Sequence, residues 1–120
     1  MGMTIAEKII ARAAGVDAAK AGEIHVVTLD YMLSNDGTTH LTIDKYNNLK
    51  NPHIADPSKL VWVVDHNVPC DSVKTAQSQK KMRDFAREHG IDFYEGEGIC
   101  HQVMVEKYVR PGQLIFGADS

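Results

Sequence analysis

"KLVWVVDHN", residues 59–67, decides the fold. Leu60–Val64 is an unbroken apolar run, as expected of a parallel strand buried on both faces rather than one with a wet side. The run then stops abruptly in Asp65-His66, a carboxylate beside an imidazole. In open parallel sheets ligands sit beyond the carboxyl ends of the strands, so this strand ends where chemistry would begin.

Working outward, "DSVKTAQSQKKMRDFAREHG" at 71–90 predicts a helix ended by Gly90, with Val73, Ala76, Met82, Phe85 and Ala86 on its inner side. "IDFYEGEGI" predicts a short strand running into a glycine-rich loop, "CHQVMVEKY" a further helix, and "GQLIFGAD" a final buried strand. On the amino-terminal side, "NPHIADPSK" is a loop interrupted by prolines. "IDKYNNLKN" predicts a short helix, and "SNDGTTHLT" carries turn chemistry through Asn-Asp-Gly. "GEIHVVTLDYML" predicts a strand around 24–29. "TIAEKIIARAAG" opens on a capping box between Thr4 and Glu7, places Ile5, Ile9 and Ala13 on one face, and stops at Gly15. Strands and helices in alternation indicate an α/β fold, a mostly parallel sheet flanked by helices, in a single domain over 1–120.

Composition narrows the function. The chain has 120 residues, 43% apolar and 24% charged, with a formal charge of −3. No basic stripe favours nucleic acid, and no apolar run approaches the roughly 18 residues that cross a bilayer. The start alternates apolar residues with Glu, Lys and Arg, unlike a secretory leader. Cys70 and Cys100 are too few and too separated for a disulfide framework or a metal knuckle, which suggests a cytoplasmic protein with reduced thiols and no metal ligands of its own.

Three polar clusters gather at strand ends: Asp65-His66, His101-Gln102 after the 96–99 loop, and Asp119-Ser120. Taken singly, each has an ordinary explanation. Asp-His at a strand end is a common turn pair, His101 could donate to a carbonyl, Asp119 could cap a following element, and Cys100 reads as an inert buried thiol. Gly96 and Gly98 fit turns better than a phosphate cradle. His25, His40, His53 and His89 lie in no comparable cluster. Convergence of the three on one edge carries more weight than any of them alone.

"MGMTIAEKI" at 1–9, "DHNVP" at 65–69, "GEGICHQV" at 96–103 and "RPGQLIFGADS" at 110–120 together resemble the amino-terminal part of the aconitase superfamily's iron–sulfur domain. The branch most similar contains the two-subunit isopropylmalate dehydratases and homoaconitases. The resemblance implies an N-terminal portion of a larger subunit, inactive by itself, of a hydro-lyase. That enzyme would isomerise a hydroxy-polycarboxylate by dehydration and rehydration, 2-isopropylmalate to 3-isopropylmalate or, alternatively, homocitrate to homoisocitrate. It implies a 4Fe–4S cluster whose cysteine ligands are absent from this chain. It also implies a small partner subunit with a swivelling domain that carries the proton-abstracting serine. Carried onto matched positions, His66 is the acid for the departing hydroxyl and Asp65 orients it. His101 and Asp119 form a second His–carboxylate pair, while Ser120 and Asn35 contact substrate. Apolar surface left uncovered in such a portion would make it self-associate. A free-standing α/β binding or assembly module that has lost the chemistry is the reading from a different class.

Overall fold

The computed structural model describes residues 2–119. Helix α1, Ile5–Ala14, begins with the expected capping box: the Glu7 amide donates to Thr4 Oγ1 at 3.2 Å and the Thr4 amide to Glu7 Oε2 at 2.7 Å. Strand β1 spans Tyr31–Asn35, helix α2 Thr39–Asn47, and a 3-10 turn at Pro57–Lys59 leads into strand β2, Leu60–Val64. Helix α3, Val73–His89, strand β3, Asp92–Glu95, helix α4, Cys100–Lys107, and strand β4, Ile115–Ala118, follow.

The four strands form one sheet in the order β3-β2-β1-β4, every pair parallel. Strand β2 is central, and its side chains divide by strand alternation. Trp62 and Val64 pack with Ile43 of α2 and with Met82, Phe85 and Ala86 of α3. Val61 and Val63 face the other way, onto Leu33 and onto Cys100, Val103 and Met104 of α4. The apolar run is therefore buried on both faces. Because all strands point the same way, their carboxyl ends form one rim, and the turns leaving β1, β2 and β4 meet there.

Four expectations need correction. Residues 24–29 form no strand: Ile24 is 98% and Val26 94% exposed, and the pairing strand starts at Tyr31. The segment is tied to α1 by the Thr28 amide on the Ala13 carbonyl and pairs with no strand, and β-branched side chains favour a strand only where a neighbour packs against them. Helix α2 starts at Thr39, four residues before the expected Ile43. On α3, Val73 and Ala76 face solvent, while Gln79 is buried in their place because its amide has a backbone partner. Strand β4 lies at the sheet edge, with Phe116 55% exposed, rather than buried.

Candidate active site at the carboxyl rim of the sheet

The site is built from the point where β2 ends. The chain leaves the strand after Val64, which frees two successive side chains to meet: His66 Nδ1 lies 2.7 Å from Asp65 Oδ1. Within a regular strand they would point to opposite faces. The other carboxylate oxygen of Asp65 accepts the Cys100 amide at 2.6 Å, at the first turn of α4. Ile99, the residue before that helix, supplies no side-chain cap, so Asp65 satisfies an open amide there and sits favourably at the positive end of the helix. The Asp65 side chain is buried, whereas that of His66 is 49% exposed. A half-open imidazole thus rests on a fixed anion.

A second carboxylate, Asp36, lies beneath this turn and was not singled out from the sequence. Its Oδ1 accepts the amides of Asp65 and His66 at 3.2 and 3.0 Å, and its Oδ2 accepts that of Asn67 at 3.1 Å. Oδ1 is also 3.5 Å from His66 Nδ1. From the α3 side, Gln79 Nε2 donates to the Asn67 carbonyl at 2.8 Å. Asp36 sits in the Asn-Asp-Gly corner, where a turn role accounts for it in sequence. Its partners lie 29 to 31 positions away and leave no local pattern.

The β4 end is tied to the same corner. Asn35 Nδ2 donates to Asp119 Oδ1 at 3.1 Å, and Thr38 Oγ1 donates to the Ala118 carbonyl at 2.6 Å. His101 Nδ1 lies 3.4 Å from Cys100 Sγ, and ligand-type atoms of Cys100, His101 and Asp119 fall within 4.8 Å of one another. Asp65, His66, His101 and Asp119 therefore share one rim. Asn35 is 1% exposed, with its carbonyl oxygen accepting the Gly37 amide and its amide nitrogen on Asp119, so here it holds a carboxylate rather than facing open space. Ser120 lies outside the described residues.

Charge follows geometry. The hydrogen bond that Asp65 accepts is the main influence raising the proton affinity of His66; partial burial opposes it, and the charges of Asp65, Asp36 and Asp119 reinforce it. Burial by itself would raise the Asp36 carboxyl, but the amides of His66, Asp65 and Asn67 outweigh it and hold the group below the usual range. Burial, helped by neighbouring Asp65, pushes the Cys100 thiol up to about 11. Such a thiol stays protonated at neutral pH, when a metal would need the thiolate. Cys70, the other cysteine, is exposed. An iron–sulfur cluster needs several thiolates together, and these two residues do not provide that set. Asp36, Asp65 and His66 also approach within 4.8 Å, but their hydrogen bonds to amides and to each other already use that arrangement.

An imidazole paired with a buried carboxylate, at the carboxyl rim of a parallel sheet and beside a second His–carboxylate grouping, is an arrangement suited to general acid–base chemistry on an α/β fold. The sequence assigns it further: residues 7–120 match the model of the aconitase family (aconitate hydratase), and the chain belongs to that family. It is 48% identical over its full length to the 3-isopropylmalate dehydratase large subunit 1 of Methanopyrus kandleri. It is 44% identical, again over its full length, to the probable 3-isopropylmalate dehydratase large subunit of Methanothermobacter thermautotrophicus. The probable methanogen homoaconitase large subunit of the latter organism is 42% identical over 98% of the chain. The chain spans 29% of the length of each of these curated relatives. Among the described residues no helix is long and apolar enough to cross a membrane.

Proposed function

We propose that this chain supplies the acid–base rim of a hydro-lyase that converts 2-isopropylmalate to 3-isopropylmalate in leucine biosynthesis. The single observation that carries the reading is the His66–Asp65 pair, an imidazole half open to solvent whose Nδ1 lies 2.7 Å from an oxygen of a buried carboxylate. Loss of water from a hydroxy acid breaks a C–O bond and a C–H bond on adjacent carbons. The leaving hydroxyl needs a proton, which the imidazolium of His66 donates as the C–O bond breaks. Asp65 keeps that proton on the ring until it is needed and fixes the ring's direction. On rehydration, the neutral imidazole takes the proton back from water as the hydroxyl adds to the neighbouring carbon.

His101 and Asp119 form the second pair, positioned to handle the proton of the departing or returning water, and Asn35 aims Asp119. Ser120 contacts a substrate carboxylate. The carbon acid's proton goes to a base on a small partner subunit, in keeping with relatives named as large subunits. An iron–sulfur cluster, of the 4Fe–4S type in this reading, takes its ligands from other parts of the protein, and the compartment is the cytoplasm. Homocitrate in place of isopropylmalate is a second reading, favoured by the similarity to the homoaconitase subunit.

The test is turnover of both hydroxy acids by the assembled enzyme and by its His66→Ala variant. Conversion of 2-isopropylmalate in preference to homocitrate is expected. The variant should lose about 10²–10⁴-fold in kcat with little change in KM, since protonation matters in the transition state. An unchanged kcat removes His66 from the acid role, and absence of either isomerisation returns the chain to a non-catalytic assembly module.

A further inference from the structure

We propose that Asp36 is a positioning residue for His66, and that the Asn35–Thr38 corner it belongs to holds the β2 and β4 rims in register. The proposal rests on the acid role given to His66 above. Three features carry it. First, the corner does not need the Asp36 carboxylate for its own closure: the local Asx-type bond is made by Asn35 Oδ1 from the Gly37 amide at 2.9 Å. A side chain at position 37 would crowd that contact, since a Cβ there would lie 3.1 Å from Asn35 Oδ1. Second, the Asp36 carboxylate spends itself on three successive amides of a different strand's exit turn, at 3.0–3.2 Å, and lies 3.5 Å from the imidazole nitrogen. Third, the flanking residues of the same corner grip the other rim, Asn35 through Asp119 and Thr38 through the Ala118 carbonyl.

Two carboxylates so near each other repel unless donors offset them. Here each has its own: the turn amides for Asp36, and the α4 amide with the imidazole for Asp65. The turn amides fix where the Cα atoms of residues 65–67 lie, and so where the His66 ring can reach. Removing the Asp36 charge therefore changes both the ring's position and the charge beneath it. The groups facing His66 are Asp65 from the β2 exit, Asp36 from the β1–α2 corner and Asp119 after β4. Helix α4 brings the protonated Cys100 thiol and His101 to the same rim, and α3 contributes the neutral Gln79.

The experiment is an NMR titration of the His66 imidazole in the wild-type chain and in Asp36→Asn, with amide exchange followed at residues 65–67. In the variant the His66 midpoint should fall, and the amides of His66 and Asn67 should exchange roughly tenfold faster or more, as expected on losing a bond to a charged acceptor. A natively folded variant with an unmoved midpoint and unmoved exchange overturns the proposal. Should Asp36→Asn fail to fold, the wild type decides. Its 65–67 amide proton shifts must follow the titration of the Asp36 carboxyl carbon, and shifts that ignore it overturn the proposal equally. In the assembled enzyme, Asp36→Asn should lower kcat more than it alters KM and move the alkaline fall in kcat to lower pH, which a purely structural residue would not do. An unchanged kcat in His66→Ala, beside an intact Asp36–His66 coupling in the wild-type chain, would count against the acid role alone, so the two failures are distinguishable.

Discussion

At the scale of the residue, the site is an arrangement of anions around one imidazole, and its pH behaviour follows. His66 has its proton affinity raised in the fold, so the interaction is fully present below the ordinary imidazole value of 6.5 and is lost as pH rises through the folded value. Acid-limb chemistry should accordingly persist above pH 6.5 and then decline, and Asp65→Asn should bring that decline to lower pH in a kcat profile. Asp36 behaves in the opposite sense. Its folded value lies below 3.8, so its contribution is present above 3.8 and vanishes as pH falls through the folded value. Equilibrium unfolding between pH 5 and 2 should show stability falling in that acid range, and the fall should be shallower in Asp36→Asn. Asp65, His66 and Asp119 could be picked from sequence because they sit in short polar clusters where strands end, and His101 because it follows the glycine-rich loop after β3. Asp36 could not, because its meaning lies in amides about thirty positions away and an Asp in a turn raises no question.

At the scale of the element, legibility depended on how much of a pattern was local. The capping box of α1, the stop at Gly90 and the doubly buried β2 are written in neighbouring residues, and the structure contains all three. The misplaced strand at 24–29 shows the limit. Side-chain type encodes an extended backbone, but a strand also needs a partner, and β1 is the segment placed between β2 and β4. At the start of α3 the apolar spacing continues through Val73 and Ala76, yet both are exposed to solvent. That correction is testable. Met82→Ala removes a fully buried side chain from the α3–β2 layer and should cost about 2–5 kcal/mol. Val73→Ala should stay within about 0.5 kcal/mol of wild type by denaturant unfolding. Equal effects would mean that the helix is rotated about its axis relative to this structure.

At the scale of the whole molecule, the chain is spread out. Its radius of gyration is 16.4 Å, against about 13.6 Å for a compact domain of this length, and its extents are 55 × 35 × 24 Å. The sheet face between α2 and edge strand β4 is open, forming an apolar groove of about 390 Å³ bordered by Met32, Trp62, Phe85 and Phe116. Exposed apolar surface of this kind favours association. Sedimentation of the isolated chain should show mass rising with concentration, and Phe116→Lys should suppress the rise. A clean monomer at high concentration would leave the groove without that role.

The double duty of Asp65 has a mechanical corollary. One of its oxygens steadies the imidazole while the other anchors the opening turn of α4, so ring and helix compete for a single negative charge. The placement of the imidazole and the start of α4 are therefore set by one side chain, and a substitution at Asp65 alters both at once.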